Sequence, residues 1–211
     1  HQRLALATLA SVYFHERDYG KALDSYRQYL KLSPEADWAW VAALRVGDGM
    51  EPGMTQGPLI DDAALEKVQE LVADALAKGG RILAGGRRHA LGGTYYEPTV
   101  IADALPHMKI AREEVFGPVA PLFRFRAEDD AIRMANDTEY GLAAYCYTRD
   151  IGRAWRLSRR LEYGMVGINS SVLGTAVAPF GGIKQSGYGR EGSRHGIDEY
   201  MQLKYLCMGL D

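Results

Sequence analysis

Long hydrophobic runs are missing from this sequence: no apolar stretch approaches the roughly 20 residues that a membrane-spanning helix requires. The order of basic, apolar and small residues that marks a secretory leader is missing from the start, so no leader is expected. Cysteine is scarce. Cys146 and Cys207 are the only two, without C-x-x-C or metal-like spacing, which excludes a disulfide framework and points to no metal site. A reducing cytoplasm suits such a chain. Neither charge dominates, since 25 Lys and Arg stand against 27 Asp and Glu with no long run of either sign. That balance excludes the electrostatic footprint expected for a nucleic-acid or anionic-membrane partner. An initiating Met is absent as well, as in a processed, trimmed or engineered piece.

What remains is a chain of 211 residues, long enough for one large or two smaller domains with a substantial core. Its first forty residues differ from the rest. Leu6, Leu9, Ala10 and Tyr13, then Ala22, Leu23, Tyr26 and Leu30, recur at helical spacing on either side of "HERDYG", which predicts an αα-hairpin over residues 1–40. Its residues fall at the offsets of one tetratricopeptide repeat, with Pro34 closing it and Trp40 where a second would open. The second then fails in the Gly/Pro-rich "RVGDGMEPGMTQGP". One repeat cannot bury its own apolar face, so the hairpin must lean on something else or fray.

From residue 41 the pattern alternates. In "DDAALEKVQELVADALAKGG", Leu65, Val68, Leu71, Val72, Ala75 and Leu76 share one helical face. Asp61 or Asp62 is a suitable cap and Gly79-Gly80 a stop, predicting a helix of about 17 residues. "RILAGG", "YYEPTVIAD", "VAPLFRF", "LAAYCYT" and "GMVGIN" read as strands, while "AEDDAIRMAND" and "DIGRAWRLSRRLEYG" read as helices. Alternating strands and helices imply an α/β layered architecture.

Gly187-Tyr188-Gly189-Arg190-Glu191-Gly192 matches G-x-G-x-x-G, the dinucleotide fingerprint. The fingerprint needs a preceding strand, a helix, a return strand and an acidic residue about twenty positions on. "GGIKQS" before it reads as turn, and only 19 residues follow Gly192, so the helix alone could be supplied. These glycines are expected to serve a sharp loop instead.

"GPLID" (57–61), "EEVFGPV" (113–119), "NDTEYGLAA" (136–144), "GMVGIN" (164–169) and "PFGGIKQSGYGREG" (179–192), taken in this order, resemble the aldehyde dehydrogenase superfamily over residues 41–211. The wording around "FGPVAPLFRF" and "VAPFGGIKQSGYGREGS" is most similar to its succinate-semialdehyde branch. The resemblance implies the C-terminal catalytic and oligomerisation region of that fold, a layered sheet with flanking helices. It implies NAD or NADP as cofactor and a small aldehyde as substrate. In the family a cysteine thiolate attacks the aldehyde, hydride passes to the nicotinamide, and a glutamate-activated water releases the acid. The segments carrying that cysteine, that glutamate and the cofactor domain belong upstream of "RVGDG", so no catalytic residue is assigned in this chain. Cys146 and Cys207 lie in apolar, strand-like runs without a neighbouring base, and are expected to be buried structural thiols.

The resemblance assigns the nicotinamide ribose to Glu114, whose carboxylate can accept from both diol hydroxyls, and the ring to Phe116. From the residues alone, Glu113 and Glu114 would make a solvated acidic turn and Phe116 would be core. Phe180 corresponds to the aromatic at the rim of the substrate tunnel; otherwise it would anchor a glycine turn. In "NSSVLGTAVAPFGG", Gly174 stands where succinate-semialdehyde enzymes hold the distal carboxylate with a serine, and Ser170, Ser171 or Thr175 could donate in its place. The tail "EYMQLKYLCMGL" reads as a strand, either an internal edge strand or, as the resemblance implies from its use in family members, a contact between subunits. A homo-oligomer, or association with a fuller dehydrogenase chain, is expected, with a protein partner for the hairpin. Three functions remain open: part of an aldehyde dehydrogenase that is inactive alone, a non-catalytic scaffold, or a chimeric join.

Overall fold

The computed structural model describes residues 44–209; the hairpin expected over residues 1–40 lies outside the described residues. The chain divides into two compact units at Arg124 and Phe125.

In the first unit, α1 (Asp62–Ala77) begins where the Asp61 carboxylate accepts the Ala64 amide at 2.7 Å. It ends where the amides of Gly79 and Gly80 donate back to the carbonyls of Leu76 and Ala75. Leu65, Val68, Leu71, Val72 and Ala75 are buried as the periodicity predicts, whereas Leu76 is 44 % exposed at the margin of the stripe. A mixed sheet follows in the order β1 (Arg81–Ala84), β2 (Thr99–Ala102), β3 (Val119–Pro121). β1 and β2 are antiparallel with a bulge between Ile82 and Ala84, and β2 and β3 are parallel. The central strand β2 is buried at all four positions, and the Thr99 hydroxyl accepts the Gly86 amide at 2.8 Å. The α1 stripe packs with Tyr96, Ile101, Met108 and Ile110 into one core.

The second unit contains α2 (Glu128–Asn136), β4 (Tyr140–Gly141), β5 (Ala143–Cys146), α3 (Ile151–Arg160), β6 (Met165–Ile168) and β7 (Ile183–Lys184). β5 and β6 form a parallel pair, and β4 and β7 an antiparallel one. β7 lies within "GGIKQS", which the sequence presents as turn. Glu128 ties the two helices together: the Arg156 guanidinium donates to it through two nitrogens at 2.8 and 2.9 Å, and Arg153 through one at 3.0 Å. The Asn136 side chain joins their far ends, donating to the Arg160 carbonyl at 2.8 Å and accepting the Glu162 amide at 2.9 Å. Ile132 is the one buried hydrophobic side chain among the described residues of this unit; the other buried positions are Gly141, Gly167 and Gly182.

The tail departs from expectation. Asp198–Tyr200 form a single 3-10 turn, and residues 201–209 are irregular and exposed, with no strand partner among the described residues. Cys207 is therefore exposed rather than buried in a strand. Alternation marks only a segment able to pair with an edge, and residues 201–209 pair with none among the described residues.

Candidate cofactor-facing loop and substrate cleft

Glu114 and Phe116 lie on the loop that leads into β3, and the residues between and after them hold it down. Val115 packs against the α1 core. A Cβ on Gly117 would come within 2.6 Å of Val68 Cγ2, so only glycine lets the loop lie this close to α1. The Pro118 carbonyl accepts the Thr99 amide at 2.8 Å, anchoring the end of the loop to β2. Inward pinning at Val115 and Gly117 turns the flanking side chains outward. Glu114 is exposed, and Phe116 is 79 % exposed with φ of 44°, a left-handed backbone that an aromatic residue rarely adopts. Phe116 is thus not core, which corrects the reading from the residues alone; the acidic pair Glu113 and Glu114 is solvated, as that reading has it.

In the second unit the glycine-rich stretch folds back on itself. The Phe180 amide donates to the Glu191 carbonyl at 2.8 Å, and the Glu191 amide returns the bond at 2.7 Å. The Arg190 guanidinium donates to the carbonyls of Gly182 and Gly189 at 2.8 and 2.6 Å. Gly187, Gly189 and Gly192 all have positive φ, no buried strand precedes them, and a turn rather than a helix follows. The fingerprint is a glycine turn. Lys184 fixes the base of the loop by donating to the carbonyls of Asn136 and Thr138 at 3.1 and 3.2 Å and pairing with Glu162 at 2.6 Å.

This fold-back encloses a cleft of about 770 Å³ lined by Phe180, Tyr188, Arg190, Glu199 and Tyr200 among others. Phe180, 40 % exposed, lines this cleft. Ser171 and Gly174 are exposed on the preceding loop and do not line this cleft. The Ser170 hydroxyl is spent locally, donating to the Val172 carbonyl at 3.1 Å. A Cβ at Gly174 would meet nothing within 4 Å, so the position has room for a larger side chain. Tyr188, Arg190 and Glu199 went unread in the sequence. Their signal is the density of glycines around them, which brings backbone close and leaves the few large side chains to form the walls.

Neither thiol is placed as a nucleophile. Cys146 sits in β5 opposite Ile168, and burial pushes its thiol above the ordinary value. Cys207 lies on the irregular tail. Among the described residues no cluster of His, Cys, Asp or Glu could hold a metal ion, and no helix is long and apolar enough to cross a membrane.

The E-x-F-G-P loop and the P-F-G-G-x-K-x-S-G fold-back are thus set in a mixed α/β chain. Residues 36–206 match the model of the aldehyde dehydrogenase family, and the chain belongs to that family. It is 57% identical over 171 residues to 3-sulfolactaldehyde dehydrogenase of Pseudomonas putida, covering 81% of this chain and 35% of that protein. It is 59% identical over 169 residues to mitochondrial succinate-semialdehyde dehydrogenase of Arabidopsis thaliana, covering 80% and 32%. Among solved structures, succinate-semialdehyde dehydrogenase from Burkholderia pseudomallei superposes with a TM-score of 0.79 at 55% identity, covering 88% of this chain and 38% of the other. Betaine aldehyde dehydrogenase of Staphylococcus aureus in complex with NAD+ superposes with a TM-score of 0.75 at 38% identity, covering 79% and 35%. The chain thus spans about a third of the length of the curated relatives it matches.

Proposed function

We propose that this chain forms one wall of an NAD(P)-dependent semialdehyde dehydrogenase and is inactive alone. The observation that carries the reading is Phe116: an aromatic side chain held in a left-handed, exposed conformation beside Glu114, on a loop pinned from beneath. Strain of about 1–3 kcal/mol at a non-glycine residue persists where the surroundings impose it, and such residues cluster at ligand clamps. The loop fits a nicotinamide riboside. Glu114 presents a carboxylate able to accept both hydroxyls of a diol, and Phe116 presents an apolar face to a flat ring. NAD or NADP, when bound, supplies the hydride acceptor. The attacking thiolate comes from polypeptide outside these 211 residues, since Cys146 is half-buried with a raised pKa and Cys207 lies on the tail.

The substrate class is an aldehyde with a remote anionic group, the feature common to the sulfolactaldehyde, succinate semialdehyde and glutarate semialdehyde in the relatives' names. Phe180 would line its approach, and Ser171, with Gly174 leaving room beside it, would donate to the anionic end. Residues 1–40 have in this reading a protein partner of their own, and 41–211 act as the dehydrogenase region of an oligomeric cytoplasmic assembly. The purified chain should form no NADH from any of the three aldehydes. Mixing it with the part of the A. thaliana relative outside the matched residues should restore NADH formation. In that mixture Glu114→Ala should raise the cofactor KM about tenfold, a loss of about 1.4 kcal/mol. NADH formation by the chain alone, abolished in Cys146→Ala or Cys207→Ala, would overturn the reading.

A further inference from the structure

Gly117 is a glycine for a reason that its own backbone does not supply. Its φ lies outside the left-handed region, so the conformation would accept any residue. What excludes a side chain is Val68: a Cβ at Gly117 would stand 2.6 Å from Val68 Cγ2, against ordinary contacts of 3.5 and 3.7 Å with Leu59 Cδ2 and Val115 Cγ1. Val68 has nowhere to go. It is fully buried within α1, and a β-branched side chain in a helix keeps essentially one χ1 rotamer.

The loop is attached to α1 at its other end as well. The turn Lys109–Ala111 is held there by the Asp74 carboxylate, which accepts the Lys109 amide at 2.8 Å, by the ion pair of Lys109 with Glu70, and by buried Ile110. Beyond Gly117 the chain is locked again, the Val119 amide donating to the Gly117 carbonyl at 2.8 Å. Residues 112–116 therefore span two fixed points on one helix. The depth to which Gly117 descends onto Val68 decides how Phe116, one residue earlier, takes its φ of 44° and how Glu114 and the ring are presented.

We propose that Val68 is a positioning residue for the nicotinamide cofactor: its Cγ2 methyl sets the depth of Gly117, and through it the left-handed Phe116 and the outward Glu114 carboxylate. The proposal rests on the function proposed above, in which this loop receives a nicotinamide riboside. In the sequence Val68 is one of several apolar residues on a helical face, and the contact with Gly117 is what separates it from Leu65 or Leu71.

A compensating pair tests this in the full chain, read by nuclear magnetic resonance on the chain alone and by NADH fluorescence titration in the mixture with the part of the A. thaliana relative outside the matched residues. A left-handed residue gives a strong intraresidue Overhauser effect between its amide and Hα protons. Gly117→Ala should weaken that signal at Phe116 and raise the NADH Kd about tenfold, with kcat changed less than about twofold. Val68→Ala combined with Gly117→Ala removes the methyl that blocks the new one, and should restore the signal and bring the Kd to within about threefold of its native value. Leu59→Ala combined with Gly117→Ala should restore neither, because Leu59 stands at ordinary contact distance. Protection of the α1 amides from hydrogen exchange shows in each case that the first unit is folded. If Gly117→Ala alone does not fold, the comparison of the two double variants decides. Native signal and native Kd in Gly117→Ala would overturn the proposal, as would a Leu59 rescue equal to that by Val68, or a Val68 double variant that folds and binds no better than Gly117→Ala. Absence of NADH binding by the native mixture would sink the proposed function and the cofactor role of Val68 with it. Binding by the native mixture that ignores all three variants would sink this inference alone.

Discussion

Phe116 combines two costs that most aromatic residues avoid: a left-handed backbone and an exposed ring. The backbone cost has a direct test. Alanine at this position meets the same steric penalty and glycine does not, so Phe116→Gly should be more stable than Phe116→Ala by about 1 kcal/mol in urea unfolding of the first unit. Equal stabilities would mean the loop relaxes out of the left-handed region once the ring is gone. Neither half of this conformation could be read from residue type. A phenylalanine between valine and glycine has every average tendency to be buried, and it is pushed outward only because Val115 and Gly117 on either side are held against α1.

At the scale of elements, Glu128 is the clearest electrostatic feature. The Arg156 guanidinium, with Arg153 second, holds its carboxyl down from 4.5 to about 2. A lowered folded-state pKa means that the stabilisation of the α2–α3 pairing is fully present above about pH 4.5 and is lost as pH falls towards 2. Carbon-detected NMR titration should find the Glu128 pKa rising towards its ordinary value in Arg156→Ala, and rising less in Arg153→Ala. An unchanged pKa in both would mean the ion pairs are not populated in solution. Helices of this kind were readable from the sequence, because an Asp or a first-turn acid opens each one and the apolar spacing is unambiguous. The five main strands were readable for the same reason, each being a short apolar run between turn residues. The tail was not, because alternation declares only that a segment can pair. The two-residue strands β4 and β7 were too short to carry a period, and the glycine fold-back that builds the cleft was visible as glycine content without its direction. Of the site, Glu114, Phe116 and Phe180 stood out through family resemblance, whereas the side chains lining the cleft beside Phe180 owe their positions to backbone turns that residue spacing does not encode.

For the molecule as a whole, the unequal cores predict unequal cooperativity. Denaturant unfolding of the chain alone should give a slope suited to the first unit, well below that of a cooperative 211-residue protein, because the slope follows the surface newly exposed. A slope matching the whole chain would require a buried core in the second unit. The irregular tail adds to the asymmetry, with Leu203, Tyr205, Leu206 and Met208 in solvent. Segments that open at little free-energy cost are the ones proteases cut, so limited proteolysis of the chain should cleave the second unit before the first.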